Sequence, residues 1–313
     1  MKKKMVFRAC TLLFTIILLT GALDAQESDN DPPYWLLFEK GKYEFERGEL
    51  GRALMFFQQA REKAGGNYPQ AEVAIGDIFF NGQEYSLAEE FYKKAYEHRQ
   101  AFLTQQEKYG VLLKLALLYE NMSAYKQMED QLLEIIRDDP YFSDKAYSRY
   151  RIFLSDLFKK DGLDQMLRYY RIDIIFSQEA HSRLSYFYYR TGNNSKSILH
   201  ALYAINAVLS RAIEEIRKED PEYQFTSIGK LLLLAPERDN ILRLFYGSDI
   251  FRTLYYLAGA SFVAGFKTRA WQVWRLIADT PLALEYAVLS AKQLNSPWVE
   301  PYIDVLTPRK IER

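Results

Sequence analysis

The stretch WLLFEKGKYEFERGELGRALMFFQQA, residues 35–60, carries the pattern that decides the fold. Gly41 is followed twelve residues later by Ala53, and Gly48 interrupts the apolar pattern between them. This spacing predicts two helices that are joined by a tight turn and touch where their side chains are small. A pair of helices of this kind cannot bury its own apolar face, so it has to stack against neighbours.

The same twelve-residue interval occurs at four further places in the chain. The pairs are Gly76 with Ala88, Ala116 with Met128, Ser185 with Ser197, and Ala258 with Ala270. Each pair encloses a break in the apolar pattern, as the first one does. The pattern therefore predicts an all-α fold of tandem helix-turn-helix repeats, which favours binding over chemistry.

Three stretches in the first half of the chain resemble the tetratricopeptide repeat, a degenerate helix pair of about 34 residues. They are residues 35–60, AIGDIFFNGQEYSLAEEFYKKA at 74–95, and KLALLYENMSAYKQMEDQLLEIIRDDP at 114–140. The small and large residues of the family motif are matched by Gly41, Ala53, Phe57, Ala60, Gly76, Phe79, Ala88, Tyr92, Ala95, Ala116 and Tyr119. The chain is thus similar to exported bacterial members of this family, and the resemblance implies a right-handed α-solenoid.

Later in the chain the likeness weakens. SRLSYFYYRTGNNSKSILHALYA at 182–204 and YLAGASFVAGFKTRAWQVWRLIADTP at 256–281 look like diverged repeats. Residues 145–172 keep helical periodicity with a break at Asp161-Gly162, which predicts a cryptic repeat. After Ser197 the apolar pattern continues to Ile216, which predicts a second helix longer than usual. We predict a signal peptide at 1–25, a polar leader at 26–33, three repeats at 34–140, diverged helices at 141–218, an irregular connection at 219–240, and a helical pair with a capping helix at 241–313.

The first 25 residues read as a secretory signal, because a basic start precedes the apolar run Thr11–Leu19 and small residues follow it. Cleavage after Ala25 would remove four basic and one acidic side chain, leaving 37 basic and 40 acidic ones. Cys10 would leave with the signal, so the mature chain would contain no disulfide. We expect a periplasmic or otherwise exported protein. Alternatively, an uncleaved segment would anchor it in the membrane.

Composition narrows the classes of partner. Apolar residues make up 49% and charged residues 26% of the chain, which suits a continuous core and not disorder. Lys plus Arg equal Asp plus Glu, at 41 each, so no net field attracts nucleic acid or an anionic membrane. We expect no nucleic-acid partner, and membrane contact only if the signal segment is retained.

No catalytic constellation stands out. His98, His181 and His200 are the only histidines, and none has a second ligand at metal-binding spacing. The sequence contains no GxSxG or GxxxxGK[ST] motif, and no Cys follows the predicted signal. We predict no catalytic residue, no metal site and no cofactor, and we assign the histidines to surface or packing positions.

In proteins of the tetratricopeptide family, the first helices of successive repeats line a concave groove that receives an extended peptide or a partner helix. On that geometry, the resemblance implies a partner-binding groove formed by Trp35, Phe38, Lys42, Phe45, Asp77, Phe80, Tyr186, Tyr189, Tyr255 and Phe262. The competing interpretation is that a tightly wound array buries these aromatic side chains in its own core.

Three functional hypotheses follow. The first is a non-catalytic periplasmic scaffold or adaptor that holds another envelope protein or peptide through the aromatic surface. The second is a carrier that encloses an apolar small molecule or lipid. The third is a helical-toroid enzyme acting on glycan. The sequence does not identify the partner or the oligomeric state.

Overall fold

The computed structural model describes residues 32–303, so the predicted signal peptide and most of the predicted leader lie outside the described residues. Within 32–303 the chain forms sixteen α-helices and four short 3-10 turns and contains no strand. The all-α prediction is confirmed. No helix in this part of the chain is long and apolar enough to cross a membrane.

The described residues fall into two units, unit 1 up to Gln105 and unit 2 from Gln106 onwards. The helices of unit 1 are α1 (Tyr34–Glu46), α2 (Leu50–Lys63), α3 (Pro69–Asn81) and α4 (Tyr85–Glu97), followed by a 3-10 turn at Arg99–Ala101. Helix α1 packs against α2, α2 against α3, and α3 against α4. The division falls inside the predicted array at 34–140, because the third predicted pair belongs to unit 2.

Unit 2 contains twelve α-helices in its described part. They are α5 (Glu107–Asn121), α6 (Tyr125–Arg137), α7 (Pro140–Ser143), α8 (Ser148–Asp161), α9 (Leu163–Tyr169), α10 (Gln178–Arg190), α11 (Asn194–Glu219), α12 (Ile228–Leu234), α13 (Asp239–Gly247), α14 (Ile250–Val263), α15 (Lys267–Ala278) and α16 (Glu285–Asn295). Helices α5 and α6, α10 and α11, and α14 and α15 form antiparallel neighbours, as the twelve-residue interval predicts.

All ten residues of the twelve-residue pairs are buried, and the two members of each pair lie on neighbouring helices that pack together. The closest approaches occur at the two glycines among these pairs, Gly41 and Gly76, which both lie in unit 1. A Cβ atom on Gly41 would lie 2.5 Å from the ring of Phe57, and one on Gly76 would lie 2.6 Å from the ring of Tyr92. The small residue is therefore required by the aromatic ring that faces it.

Helix α11 organises the core of unit 2. It has 26 residues, which corresponds to about 39 Å at 1.5 Å per residue. It packs against α8, α9, α10, α13 and α14. Buried Asn206 in its middle accepts a hydrogen bond from the backbone N–H of Ile172 at 2.8 Å and donates one to the carbonyl of Tyr170 at 2.7 Å. This amide satisfies the backbone of the non-helical segment that follows α9.

Two segments differ from the sequence-based description. Residues 219–240, predicted as irregular, contain helix α12, because Ser227 caps it and the apolar run buries Ile228, Leu231 and Leu232. In the predicted cryptic repeat, the expected break occurs at Gly162, whose φ is +89°. The helix after this break has only seven residues, so the repeat lacks a full second helix.

We predict that Gly76→Ala destabilises unit 1 by about 1–3 kcal/mol, because the new methyl group would overlap the ring of Tyr92. That ring cannot easily move: it is buried, and its hydroxyl donates a hydrogen bond to Asp77 at 2.7 Å. Chemical denaturation followed by circular dichroism would measure the change in unfolding free energy.

Gly51→Ala is the matched control, since Gly51 is also helical and has open space around its Cβ position. This control should be neutral or slightly stabilising, because alanine favours the helix by up to about 1 kcal/mol over glycine. Unchanged stability in Gly76→Ala would show that the close contact between the two helices is not needed.

Candidate functional site

Helix α1 presents an exposed surface that contains two of the predicted groove residues. Trp35 is 56% exposed and Tyr43 is 58% exposed. Glu39 lies between them in the helical projection, and its carboxylate pairs with Lys42 at 3.1 Å. We call Trp35, Glu39, Lys42 and Tyr43 the α1 surface. It combines aromatic area with both signs of charge.

The other two predicted groove residues of α1 turn towards the core. Phe38 is half-buried, and its ring centroid lies 5.4 Å from that of Phe57 and 5.3 Å from that of Tyr68. Phe45 is also half-buried and packs against the same apolar cluster. These two rings therefore serve packing within unit 1, as the competing interpretation expected.

Asp77 and Phe80 lie on α3, and both are half-buried. The Asp77 carboxylate accepts the hydrogen bond from Tyr92, so it is engaged within unit 1. Phe80 lies 5.8 Å from Tyr85, measured between ring centroids. Both residues are on α3, so neither is part of the α1 surface.

Three of the four predicted groove residues of unit 2 come together. Tyr186 and Tyr189 on α10 lie 4.7 Å and 5.5 Å from Tyr256 on α14, and Tyr255 lies 5.4 Å from the same ring. We call Tyr186, Tyr189, Tyr255 and Tyr256 the tyrosine face. Tyr189 and Tyr255 are buried, whereas Tyr186 and Tyr256 are half-buried.

Phe262, the fourth, is half-buried and lies elsewhere on α14. Its ring centroid is 5.6 Å from that of Trp274 on α15, and the ammonium group of Lys267 lies 5.7 Å from it. Phe262 therefore contributes to the packing of α14 against α15.

A polar cluster that sequence analysis missed lies inside unit 2. It consists of Asp139, Ser177, His181 and His200, all buried, and we call it the histidine cluster. The Nδ1 atoms of the two histidines are 2.9 Å apart, so one ring donates a hydrogen bond to the other. Ser177 Oγ donates to Asp139 Oδ2, and His181 Nε2 lies 3.7 Å from the same oxygen.

One arrangement of protons forms the hydrogen bond between the two neutral rings, and it leaves Nε2 of His181 without a hydrogen-bond partner among the described residues. His200 donates from Nδ1 to Nδ1 of His181, which leaves the proton of His181 on Nε2, facing Asp139. Burial lowers the pKa of His181, and Asp139 opposes part of this shift. Burial, with the charges of His181 and Lys196, lowers the pKa of His200 well below its usual value. The folded protein therefore favours neutral histidines.

Asp139 is the charged member of the histidine cluster. Burial would raise its pKa, but His181 and the hydrogen bonds from Ser177 Oγ and the Tyr141 N–H outweigh it and lower the pKa. The carboxylate also caps helix α7. Because Ser177 donates to Asp139 and not to a histidine, the cluster lacks the order of hydrogen bonds that activates a serine nucleophile.

The register of the helix pair contains the signal that would have revealed the histidine cluster. Ser185 on α10 faces Ser197 on α11, and Ser197 Oγ donates to the Ser185 carbonyl at 2.8 Å. One helical turn farther from the loop that joins α10 and α11, the same antiparallel register places His181 opposite His200. Among residues 32–303, no three His, Cys, Asp or Glu side chains are placed to hold a metal ion.

We predict that unit 2 loses stability as the pH falls below about 6.5, the ordinary pKa of histidine. The unfolded chain then binds protons that the folded histidine cluster excludes, so the stabilising contribution present above pH 6.5 is lost on acidification. The unfolding free energy should change with pH by at most about 1.4 kcal/mol per pH unit for each histidine. Denaturation curves at pH 7.5 and 5.5 would measure it.

Replacing His181 and His200 together by Gln should reduce the change of unfolding free energy between pH 7.5 and 5.5. This holds whatever the stability of the variant at pH 7.5. Ser197→Ala is the matched control, because it removes a buried hydrogen bond three residues from His200 without removing a titrating group. It should lower stability equally at both pH values. A slope that survives the double replacement would assign acid sensitivity to other groups.

Comparison with known proteins gives relatives but no function. No family model matches the chain. An uncharacterized protein of Borreliella burgdorferi is 24% identical over 318 residues, which cover 92% of this chain and 98% of that protein. An uncharacterized protein of Treponema pallidum is 21% identical over 230 residues, covering 73% of this chain and 62% of that protein. The function of this chain has to be argued from its own residues.

Proposed function

We propose that this protein is a non-catalytic scaffold or adaptor that is exported to the periplasm and holds another protein or peptide of the cell envelope. The basic and apolar start of the sequence supports export. We further propose that the helix pairs are tetratricopeptide-like repeats arranged as a right-handed α-solenoid. The buried small residues at twelve-residue spacing support this part of the proposal.

The α1 surface is the observation that carries the adaptor function. Trp35 and Tyr43 leave more than half of their area in water, although the neighbouring residues Phe38 and Phe45 are partly buried. Exposed Trp and Tyr side chains supply much contact area and are enriched where protein partners bind. Glu39 and Lys42 add polar groups that would fix the orientation of a bound partner.

We predict that Trp35→Ser combined with Tyr43→Ser reduces capture of the envelope partner at least about tenfold, while the unfolding free energy changes by less than about 0.5 kcal/mol per site. Crosslinking in intact cells, followed by purification and quantitative mass spectrometry, would compare the partner yield of variant and wild type.

Leu103→Ser is the matched control, because Leu103 is also exposed and lies in unit 1. It should leave the captured partner unchanged. Phe38→Ala supplies the opposite contrast, since loss of its ring should lower the stability of unit 1. If the double serine variant unfolds, or captures the partner as wild type does, the α1 surface is not the binding site.

A specific cavity favours the carrier as a second candidate. It lies in unit 2 among α13, α14 and the start of α16, with a volume of about 420 Å³. Phe245, Phe251, Leu282 and Tyr286 contribute to its lining. This volume is within the usual range for small-molecule pockets, about 300–1,000 Å³.

Native mass spectrometry of the purified chain tests the carrier. A retained apolar molecule that is lost on Phe245→Trp, which would fill the cavity, supports the carrier over the adaptor. Leu233→Trp is the matched control, since Leu233 is exposed and outside this cavity. A bare protein mass under gentle conditions argues against the carrier.

A further inference from the structure

The end of the described chain lies against the tyrosine face. After α16, residues 298–303, with the sequence WVEPYI, run without helix or turn. We call this segment the C-terminal strap. It belongs to unit 2, as do α10 and α14. The strap contacts α10 across a separation of about 111 residues in sequence.

Arg190, at the end of α10, is the main attachment point of the strap. Its Nε donates to the carbonyl of Pro301 at 3.0 Å, and its Nη1 lies 3.4 Å from the carboxylate of Glu300. The backbone carbonyl of Arg190 accepts a hydrogen bond from the N–H of Ile303 at 2.7 Å. The side chain and backbone of this one residue therefore contact three of the four residues from Glu300 to Ile303.

The tyrosine face supplies further contacts. The N–H of Glu300 points to the hydroxyl oxygen of Tyr189 at 3.4 Å. The side-chain amide of buried Gln293 bonds both backbone groups of Trp298 and also donates to the hydroxyl of Tyr255 at 3.0 Å. Two residues of the tyrosine face are thus joined to the strap directly or through one amide.

The turn between α10 and α11 is shaped to receive an aromatic ring. Gly192 in this turn has a φ of +78°, and a Cβ atom there would lie 3.4 Å from the ring of Tyr302. A side chain at this position would be strained by the positive φ, whereas its Cβ would only make an ordinary van der Waals contact with that ring. The glycine therefore permits the positive φ of the turn, and the ring of Tyr302 in the strap packs against it.

The negative charge of Glu300 lies next to a positive charge and phenol rings. Arg190 pairs with it, and Arg252 on α14 lies over the ring of Tyr186 at 4.6 Å. Burial is the main cause of the raised pKa of Tyr189 and Tyr256, and the Glu300 carboxylate adds to both shifts. The face therefore presents one guanidinium group, that of Arg190, and phenol rings to this carboxylate, while Arg252 pairs with Asp249.

The strap is held by polar contacts, with little burial of its own side chains. Trp298 is 38% exposed, Val299 is 43% exposed and Tyr302 is 57% exposed. Hydrogen bonds at a partly exposed site compete with water and each contribute little net stability, and the exposed apolar area adds little. Such a segment can be exchanged for another of the same chemistry without unfolding the helices beneath it.

We propose that the tyrosine face with Arg190 is a binding site for an extended peptide, and that the C-terminal strap is its displaceable intramolecular ligand. The partner of this site is a peptide that carries a carboxylate followed by proline and an aromatic residue, as Glu300, Pro301 and Tyr302 do. This inference deepens and rests on the proposed adaptor function: partner binding at this site competes with the chain's own strap.

Because the strap is tethered to its site, its effective concentration determines how much it weakens the binding of a free peptide. A short flexible tether gives an effective concentration of about 1 mM. For a peptide whose intrinsic Kd is about 100 μM, the tethered strap then weakens apparent binding by about tenfold. A full-length chain with a weakened strap should therefore bind the free peptide about ten times more tightly than wild type.

The test uses the full chain and a fluorescein-labelled peptide, SPWVEPYI, which copies residues 296–303. The strap variant carries Glu300→Lys and Tyr302→Ser, which repel Arg190 and remove the ring above Gly192. Fluorescence anisotropy should give a Kd at least about tenfold lower for the strap variant than for wild type. A peptide with Lys in place of Glu should bind neither protein measurably.

Arg190→Ala in the strap variant should weaken peptide binding at least about tenfold, because it removes the groups that hold the carboxylate and the proline carbonyl. Lys267→Ala, a cation on α15 outside the tyrosine face, is the matched control and should change nothing. Circular dichroism would verify that every variant is folded.

Equal peptide affinity for wild type and strap variant, or equal affinity for the two peptides, would overturn the proposal. A wild-type dimer that dissociates in the strap variant during sedimentation would place the strap on a neighbouring copy and overturn its intramolecular form. These readouts do not involve the α1 surface, so their failure is distinguishable from failure of envelope-partner capture.

Discussion

The structure depends on close contact between antiparallel helices at positions where one side chain is reduced to hydrogen, methyl or hydroxymethyl. At Gly41 and Gly76 the missing Cβ leaves room for a buried aromatic ring, and at Ser185 the backbone carbonyl accepts a hydrogen bond from Ser197. A larger side chain at any of these points would separate the helices. The contact therefore fixes the register of each pair, and the register fixes which faces remain free.

In unit 2 this constraint extends to a helix that is buried along much of its length. Helix α11 carries polar side chains into the core at Ser197, His200, Asn206 and Ser210. Each has a hydrogen-bond partner: a carbonyl of α10, the ring of His181, the backbone of 170–172, and the Asn206 side chain itself. Satisfying these groups ties α11 to the segments around it, since a buried polar group without a partner is costly.

The features that the sequence predicted depend on residues close together in the chain. The twelve-residue pairs, the break at Gly162 and the unusual length of the second helix after Ser197 all follow from local periodicity. The division after Gln105, the histidine cluster and the strap on Arg190 depend on separations of up to about 111 residues, which no local pattern encodes.

Of the candidate site, Trp35 and Lys42 are on a surface, whereas Tyr189 and Tyr255 are buried beneath other groups. Aromatic periodicity alone cannot separate these two cases, because core and groove use the same residues.

The strap follows α10 by more than a hundred residues, which has a consequence for how the protein is made. Helix pairs form contacts between residues about twelve apart, so they can form as the chain emerges from the ribosome. The strap can dock only after Ile303 has followed, more than a hundred residues behind α10. Until then the tyrosine face is uncovered, and any peptide with matching chemistry meets an unoccupied site. The newly synthesised chain and the finished protein therefore differ in what they can bind.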